Sequence, residues 1–178
     1  MSKFLDIDGL EYYTQQFKPG LAELVDDGLK NIAAPKTVTV VGHPNITITQ
    51  GNGHYEITGT TGINQLTLYL FNPTVPYLCT QDMFIYPATS LSNIRYMTQI
   101  IQTDGTSTYP SIGTTGLYVT SGKQIRTIYV QANANTTINA VIDLMVCSKG
   151  AYTISHTYQP HNKIIASQSE ILDVFRQS

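Results

Sequence analysis

The sequence predicts a mostly β protein: an antiparallel β-sandwich, jelly-roll-like, preceded by a short N-terminal helical arm and ending in a short C-terminal helix. Three observations carry that expectation. From residue 37 onward, apolar and polar residues alternate in short segments rich in Thr, Val, Ile and Tyr, the period-two pattern of half-buried strands. Clusters of Gly, Pro, Asn and Asp interrupt these segments about every 8–15 residues, as in sandwiches and barrels. Between them no stretch keeps a helical period long enough for a crossover helix, which argues against βαβ units and a parallel sheet.

The first 35 residues read differently. Asp8 and Glu11 have the spacing of a capping box. Leu10, Tyr13 and Phe17 then recur on one helical face. Pro19-Gly20 interrupts that helix, and Pro is tolerated in the first turn of a new one. Leu21, Leu24, Val25 and Leu29 form a second apolar stripe, with Asp26 and Asp27 pointing away. Twenty-odd helical residues reach about 35 Å and are too few to be stable alone, so the apolar face needs a partner. Residues 1–35 are therefore expected to form an attachment or oligomerisation arm whose contacts are Leu10, Tyr13, Phe17, Leu21, Leu24 and Val25.

Residues 36–162 are expected to form the β-sandwich. TVTVVG, ITITQ, HYEIT, QLTLYLF, MFIYP, IRYMTQIIQT, GLYVTS, QIRTIYVQA, TINAVIDLMVCS and YTISHTY are the candidate strands, roughly ten in all. The pentapeptide Gly59–Ile63 resembles Gly113–Leu117; the repetition marks either two equivalent corners of a jelly roll or, the favoured reading, two unrelated Gly-bounded turns in a Thr-rich chain. Residues 163–178 return to a helical pattern. Ser167 and Glu170 form a capping box ahead of Ile171, Val174 and Phe175.

Composition narrows the function. The chain has 178 residues, enough for one good core plus an appendage. Its net charge is −2 and its pI about 6.0, so nothing attracts nucleic acid or an anionic membrane. There is no signal-peptide pattern at Met1 and no run long enough for a membrane helix, so synthesis in the cytoplasm is expected. Charged residues are 12% of the chain, about half the usual fraction, and they are uneven. Residues 37–162 hold only Arg95, Lys123, Arg126 and Lys149 against Glu56, Asp82, Asp104 and Asp143. A near-neutral surface associates readily, which suits a domain covered by copies of itself. Cys79 and Cys147 lie outside any CxxC pattern, and two buried free thiols are expected ahead of the alternative, a single bridge.

No catalytic, cofactor or metal site is predicted. The four histidines form no zinc motif, and G-x-S-x-G, P-loop and dinucleotide fingerprints are missing. Glu56 with Tyr55 and His54 is the most enzyme-like cluster, yet half-buried strand residues explain it as well. The 12 tyrosines with no Trp are more informative, because Tyr stacks on sugars and is frequent at recognition surfaces. Tyr109, Tyr118, Tyr152 and Tyr158 sit beside turn signals and are the candidate glycan contacts.

The segment Leu5-Asp6-Ile7-Asp8-Gly9-Leu10-Glu11-Tyr12-Tyr13, followed by Phe17-Lys18, resembles an N-terminal motif of tailed-bacteriophage virion appendage proteins of head-fibre and tail-fibre type. The resemblance covers about 15 of 178 residues. It departs from the family pattern in the following helix, which is acidic and interrupted by Pro19. It implies a structural virion protein, a homotrimer anchored through its N-terminus to other phage capsid or tail proteins. The alternative reading is a module that binds a host-surface carbohydrate. A glycan-degrading enzyme is a third reading, for which the chain is short and poor in carboxylates.

Overall fold

The computed structural model describes residues 31–154 and Tyr158. The expected arm contacts Leu10, Tyr13, Phe17, Leu21, Leu24 and Val25, and the helical pattern of residues 163–178, lie outside the described residues. The described strands are β1 (Ile46–Gly51), β2 (His54–Thr60), β3 (Leu66–Phe71), β4 (Tyr77–Leu78), β5 (Met83–Ile85) and β6 (Ala88–Ser92). They continue as β7 (Arg95–Ile101), β8 (Ser107–Thr108), β9 (Leu117–Val119), β10 (Gln124–Ala132), β11 (Thr137–Asp143) and β12 (Val146–Ser148). A short helix, α1 (Lys149–Ile154), follows directly.

All the strand pairs are antiparallel, and they form three sheets. The first has the order β1-β2-β11-β6, the second β3-β10-β7-β8 with β4 also on β10, and the third β12-β5-β9. The chain passes between the first two sheets at β2→β3, β6→β7 and β10→β11. The pairings are nested, β2 with β11 and β3 with β10, which is the connectivity of a jelly roll. The inward faces share one core. The first sheet contributes Tyr55, Ile57, Ala140 and Ile142, and the second Leu68, Leu70, Tyr96 and Val130. Fully burying each such aliphatic side chain is worth about 1.5–3 kcal/mol.

The strongest sequence segments fold as expected. QIRTIYVQA is β10 from end to end, and the alternation in IRYMTQIIQT gives β7 with Tyr96, Thr98 and Ile100 inward. Four expectations need correction. TVTVVG is extended but is no strand, because side chains occupy its backbone. The Val38 N–H donates to Gln50 Oε1 (2.9 Å), and Gln50 Nε2 donates to the Val38 carbonyl (3.1 Å). The Tyr55 hydroxyl likewise accepts from the Lys36 N–H and donates to the Lys36 carbonyl. The first three residues of YTISHTY are helical, not strand: Tyr152, Thr153 and Ile154 belong to α1, whose Ala151 N–H is capped by Ser148 Oγ at 3.0 Å, and residues 155–157 lie outside the described residues.

TINAVIDLMVCS is two strands in two sheets, broken at Leu144-Met145. The break coincides with the fourth correction, the boundary expected at residue 35. Asn31 and Ala33 are fully buried in the β body. The Asn31 amide donates to the Leu144 carbonyl (3.0 Å), and its Oδ1 accepts from Val146 N–H (3.0 Å) and Ala33 N–H (3.0 Å). Residues 31–35 thus belong to the sandwich. The Gly-Thr-Thr-Gly repetition has no common role. Gly59 (φ +117°) lets β2 pass the Asn45 carbonyl, where a Cβ would lie at 1.9 Å. Gly116 (φ +73°) instead leaves room for the Phe84 ring.

Asn31→Ala removes the acceptor of two backbone N–H groups and the donor to one carbonyl. The expected loss is about 2–4 kcal/mol, since a buried group left unpaired costs about 1–3 kcal/mol. Chemical denaturation of this variant beside the exposed Asn139→Ala, expected within about 0.5 kcal/mol of the parent, checks the assignment.

Candidate functional site

Three of the four tyrosines expected at a recognition surface are brought together. The centre is Phe84 of β5, 1% exposed. Its ring stacks on Tyr152 of α1, with centroids 3.7 Å apart and planes at 23°. Tyr118 of β9 packs at 4.8 Å and 50°. Tyr86 meets both Tyr152 (6.2 Å, edge-on) and Tyr158 (6.1 Å). The Tyr158 hydroxyl donates to the Asn52 carbonyl in the β1–β2 turn, and burial pushes its pKa up to about 12. Lys149 places Nζ 5.4 Å from the Tyr118 centroid, a cation–π contact worth about 0.5–1 kcal/mol at an exposed site. Sequence reading missed Phe84, Tyr86 and Lys149. The alternation in MFIYP puts Phe84 and Tyr86 on one face, which was the available signal.

In this cluster the rings largely pack on one another. Of its tyrosines only Tyr118 is more than half exposed, at 52%. Burial raises the pKa of both the Tyr152 and the Tyr158 hydroxyl. The arrangement fastens α1 and Tyr158 to the small sheet. Tyr109 is not part of it. Tyr109 belongs to the segment beside β7, on the second sheet, where Tyr69 and Tyr129 pair at 5.9 Å.

The cluster of Glu56 and His54 gains a member. His54 opens β2 and lies directly opposite Asp143, the last residue of β11. Its Nδ1 is 2.6 Å from Asp143 Oδ1, and its Nε2 is 3.3 Å from Glu56 Oε1. The Asp143 hydrogen bond raises its pKa most; burial opposes it, and the Glu56 hydrogen bond adds a smaller upward effect. When protonated, the imidazolium donates to both carboxylates. Tyr55, the third member, points inward and is 1% exposed.

Other reactive groups are tied up in the fold. Cys79 and Cys147 are free and buried, as expected, and burial pushes their thiols up to about 11 and about 12. His43 Nδ1 accepts from the Gly62 N–H at 2.9 Å. A cleft of about 120 Å³ between residues 35–37 and 50–53 holds the doubly bonded Tyr55 hydroxyl at its edge. Among the described residues no group of three or more His, Cys, Asp and Glu is arranged to hold a metal ion.

The raised His54 pKa fixes a sign. Its contribution to stability is fully present below the unfolded value of about 6.5 and is lost as pH rises through the folded value. The groups are partly exposed, so the effect is below about 1 kcal/mol. In thermal melts at low salt, the advantage of the parent chain over His54→Gln should shrink as pH is raised from 6 to 8. An advantage that grows with pH would exclude a charged His54.

No protein-family model, curated protein or solved structure matches the chain.

Proposed function

We propose that the chain is a non-catalytic structural protein of a tailed-bacteriophage virion, a capsid-fibre, capsid-decoration or tail-fibre component. In this reading it acts as a homotrimer, attached to other capsid or tail proteins by its N-terminal segment. The observation that carries the reading is a charge-poor surface with exposed aliphatic side chains. Eight formal charges serve residues 37–162, while Val41 is 81%, Ile63 83%, Val75 75% and Leu78 51% exposed.

Two of these residues lie close together. The Gly62 N–H bonds to His43, and a Cβ at Gly62 would sit 2.9 Å from the Gly42 carbonyl, so Val41 and Ile63 flank a single loop contact. Burying each of them against a neighbouring copy would contribute about 1.5–3 kcal/mol. A cyclic trimer repeats that gain three times. The resemblance of residues 5–13 to virion appendage proteins supports the same reading.

Light scattering on the full chain tests it. The expected molar mass is three times the chain mass of 19.6 kDa. The double variant Val41→Ser, Ile63→Ser should shift the population toward monomer while leaving the β circular dichroism signal intact. A monodisperse monomer of the parent chain at micromolar concentration would overturn the proposal.

A further inference from the structure

The two outer faces of the sandwich differ in chemistry. The first sheet shows solvent the residues expected of a hydrated β surface: Thr47 and Thr49 of β1, Glu56 and Thr58 of β2, and Asn139 of β11. The second sheet shows solvent tyrosines. In its register Tyr69 of β3 lies opposite Tyr129 of β10, and Tyr129 opposite Met97 of β7. The segment after β8 continues along β7, with Ile100 opposite Thr108 and Met97 opposite Ser111. That register sets Tyr109 opposite Gln99, diagonal to Tyr129. Tyr69 is 44% and Tyr109 55% exposed. The three rings therefore stand on β3, on β10 and on the segment after β8, with Met97 and Gln99 of β7 between Tyr129 and Tyr109. Three strand spacings make this band about 14 Å long.

Hydrogen-bonding side chains border the band. On one side Thr67, Gln131 and Arg95 occupy a row on β3, β10 and β7. Gln131 Nε2 donates to Thr67 Oγ1 at 3.4 Å. On the other side Gln99 Nε2 donates to Ser107 Oγ at 3.2 Å. The charge on this face is equally specific. The four strands β3, β7, β8 and β10 contain no carboxylate, and their only charged residues are Arg95 and Arg126.

We infer that this outer face is a binding platform for an uncharged oligosaccharide, with Tyr69, Tyr129 and Tyr109 as its stacking surface. A pyranose presents an apolar C–H face that rests on a Tyr ring, and a rim of hydroxyls that needs amide and guanidinium partners. Rings in a band with Gln131, Arg95 and Gln99 beside them supply both at once. The near absence of charge matches a neutral polyol. Two arginines are too few to hold a phosphate backbone or an anionic membrane. A second copy of the chain would be served better by the exposed aliphatics Val41 and Ile63, which lie on the loops before β1 and after β2. The inference does not depend on the virion reading, and it selects a different surface from the Phe84 cluster.

The test uses the full chain and an array of neutral oligosaccharides of two to six glucose, mannose, galactose or N-acetylhexosamine units. Titration follows tyrosine fluorescence, which no Trp obscures. The expected result is binding to at least one series, with affinity rising up to about three units, the length of the band. Tyr69→Ala and Tyr109→Ala should each weaken it about tenfold, and Gln131→Ala severalfold, while Tyr118→Ala leaves it unchanged. Tyr109→Ala lies on an exposed loop and keeps the test valid if the Tyr69 variant misfolds. No retention of any series at millimolar concentration overturns the inference. Equal loss on Tyr118→Ala overturns it in favour of the other aromatic cluster. A change in molar mass on Tyr69→Ala overturns it by making the face a subunit contact. Since molar mass and sugar binding are read separately, failure here is distinguishable from failure of the trimer.

Discussion

The structure depends on how backbone polar groups are satisfied where the chain leaves one sheet for another. Between β11 and β12 the ladder of the first sheet ends and that of the small sheet has not begun. Buried N–H and C=O groups at Leu144–Val146 need partners there. The Asn31 amide supplies one on each side of Met145, at Leu144 O and Val146 N. Gly53 O accepts from Leu144 N–H (2.7 Å), and Tyr86 N–H donates to Met145 O (2.9 Å). Segments more than a hundred residues apart therefore meet at one corner. The corner directs β12 to β5 and so places α1 against Phe84.

Side chains that imitate backbone recur in this fold. The Gln50 amide takes both groups of Val38 as a neighbouring strand would. The Tyr55 hydroxyl does the same for Lys36. Both leave the edge of the first sheet closed by a segment that is extended but unladdered. An open edge of β-branched residues is an aggregation template. Covering it by side-chain contacts lets Val38 and Val40 pack on the core without extending the sheet.

Eight of the described tyrosines divide by environment. Tyr55 and Tyr96 fill the core, and burial pushes both hydroxyls up. Tyr86, Tyr152 and Tyr158 pack around Phe84 at the small sheet. Tyr69, Tyr129 and Tyr109 remain on the outer face of the second sheet, in a register set by β10. That strand carries two register irregularities, between Ile125 and Thr127 and between Ile128 and Tyr129. Bulges of this kind re-aim side chains. The second one sits immediately before Tyr129 and defines which residues accompany it on the surface.

By itself the sequence determined the class of fold and most of its strands. Period-two alternation and turn residues are local properties, so β3, β7 and β10 were legible almost to the residue. The low charge was equally legible. The tertiary structure decided the rest, because those features depend on partners distant in sequence. Whether TVTVVG is a strand rests on Gln50 and Tyr55. Whether TINAVIDLMVCS is one strand or two rests on Asn31. The same holds for the tyrosines: neighbouring turn signals grouped Tyr109 with Tyr118, Tyr152 and Tyr158, but cross-strand register separates it from them. Tyr69 and Tyr129 drew no attention in the sequence, since a Tyr in a strand looks the same whether its face meets core, neighbour or solvent. Only the stacking of two sheets makes one face of each strand an inside and the other an outside.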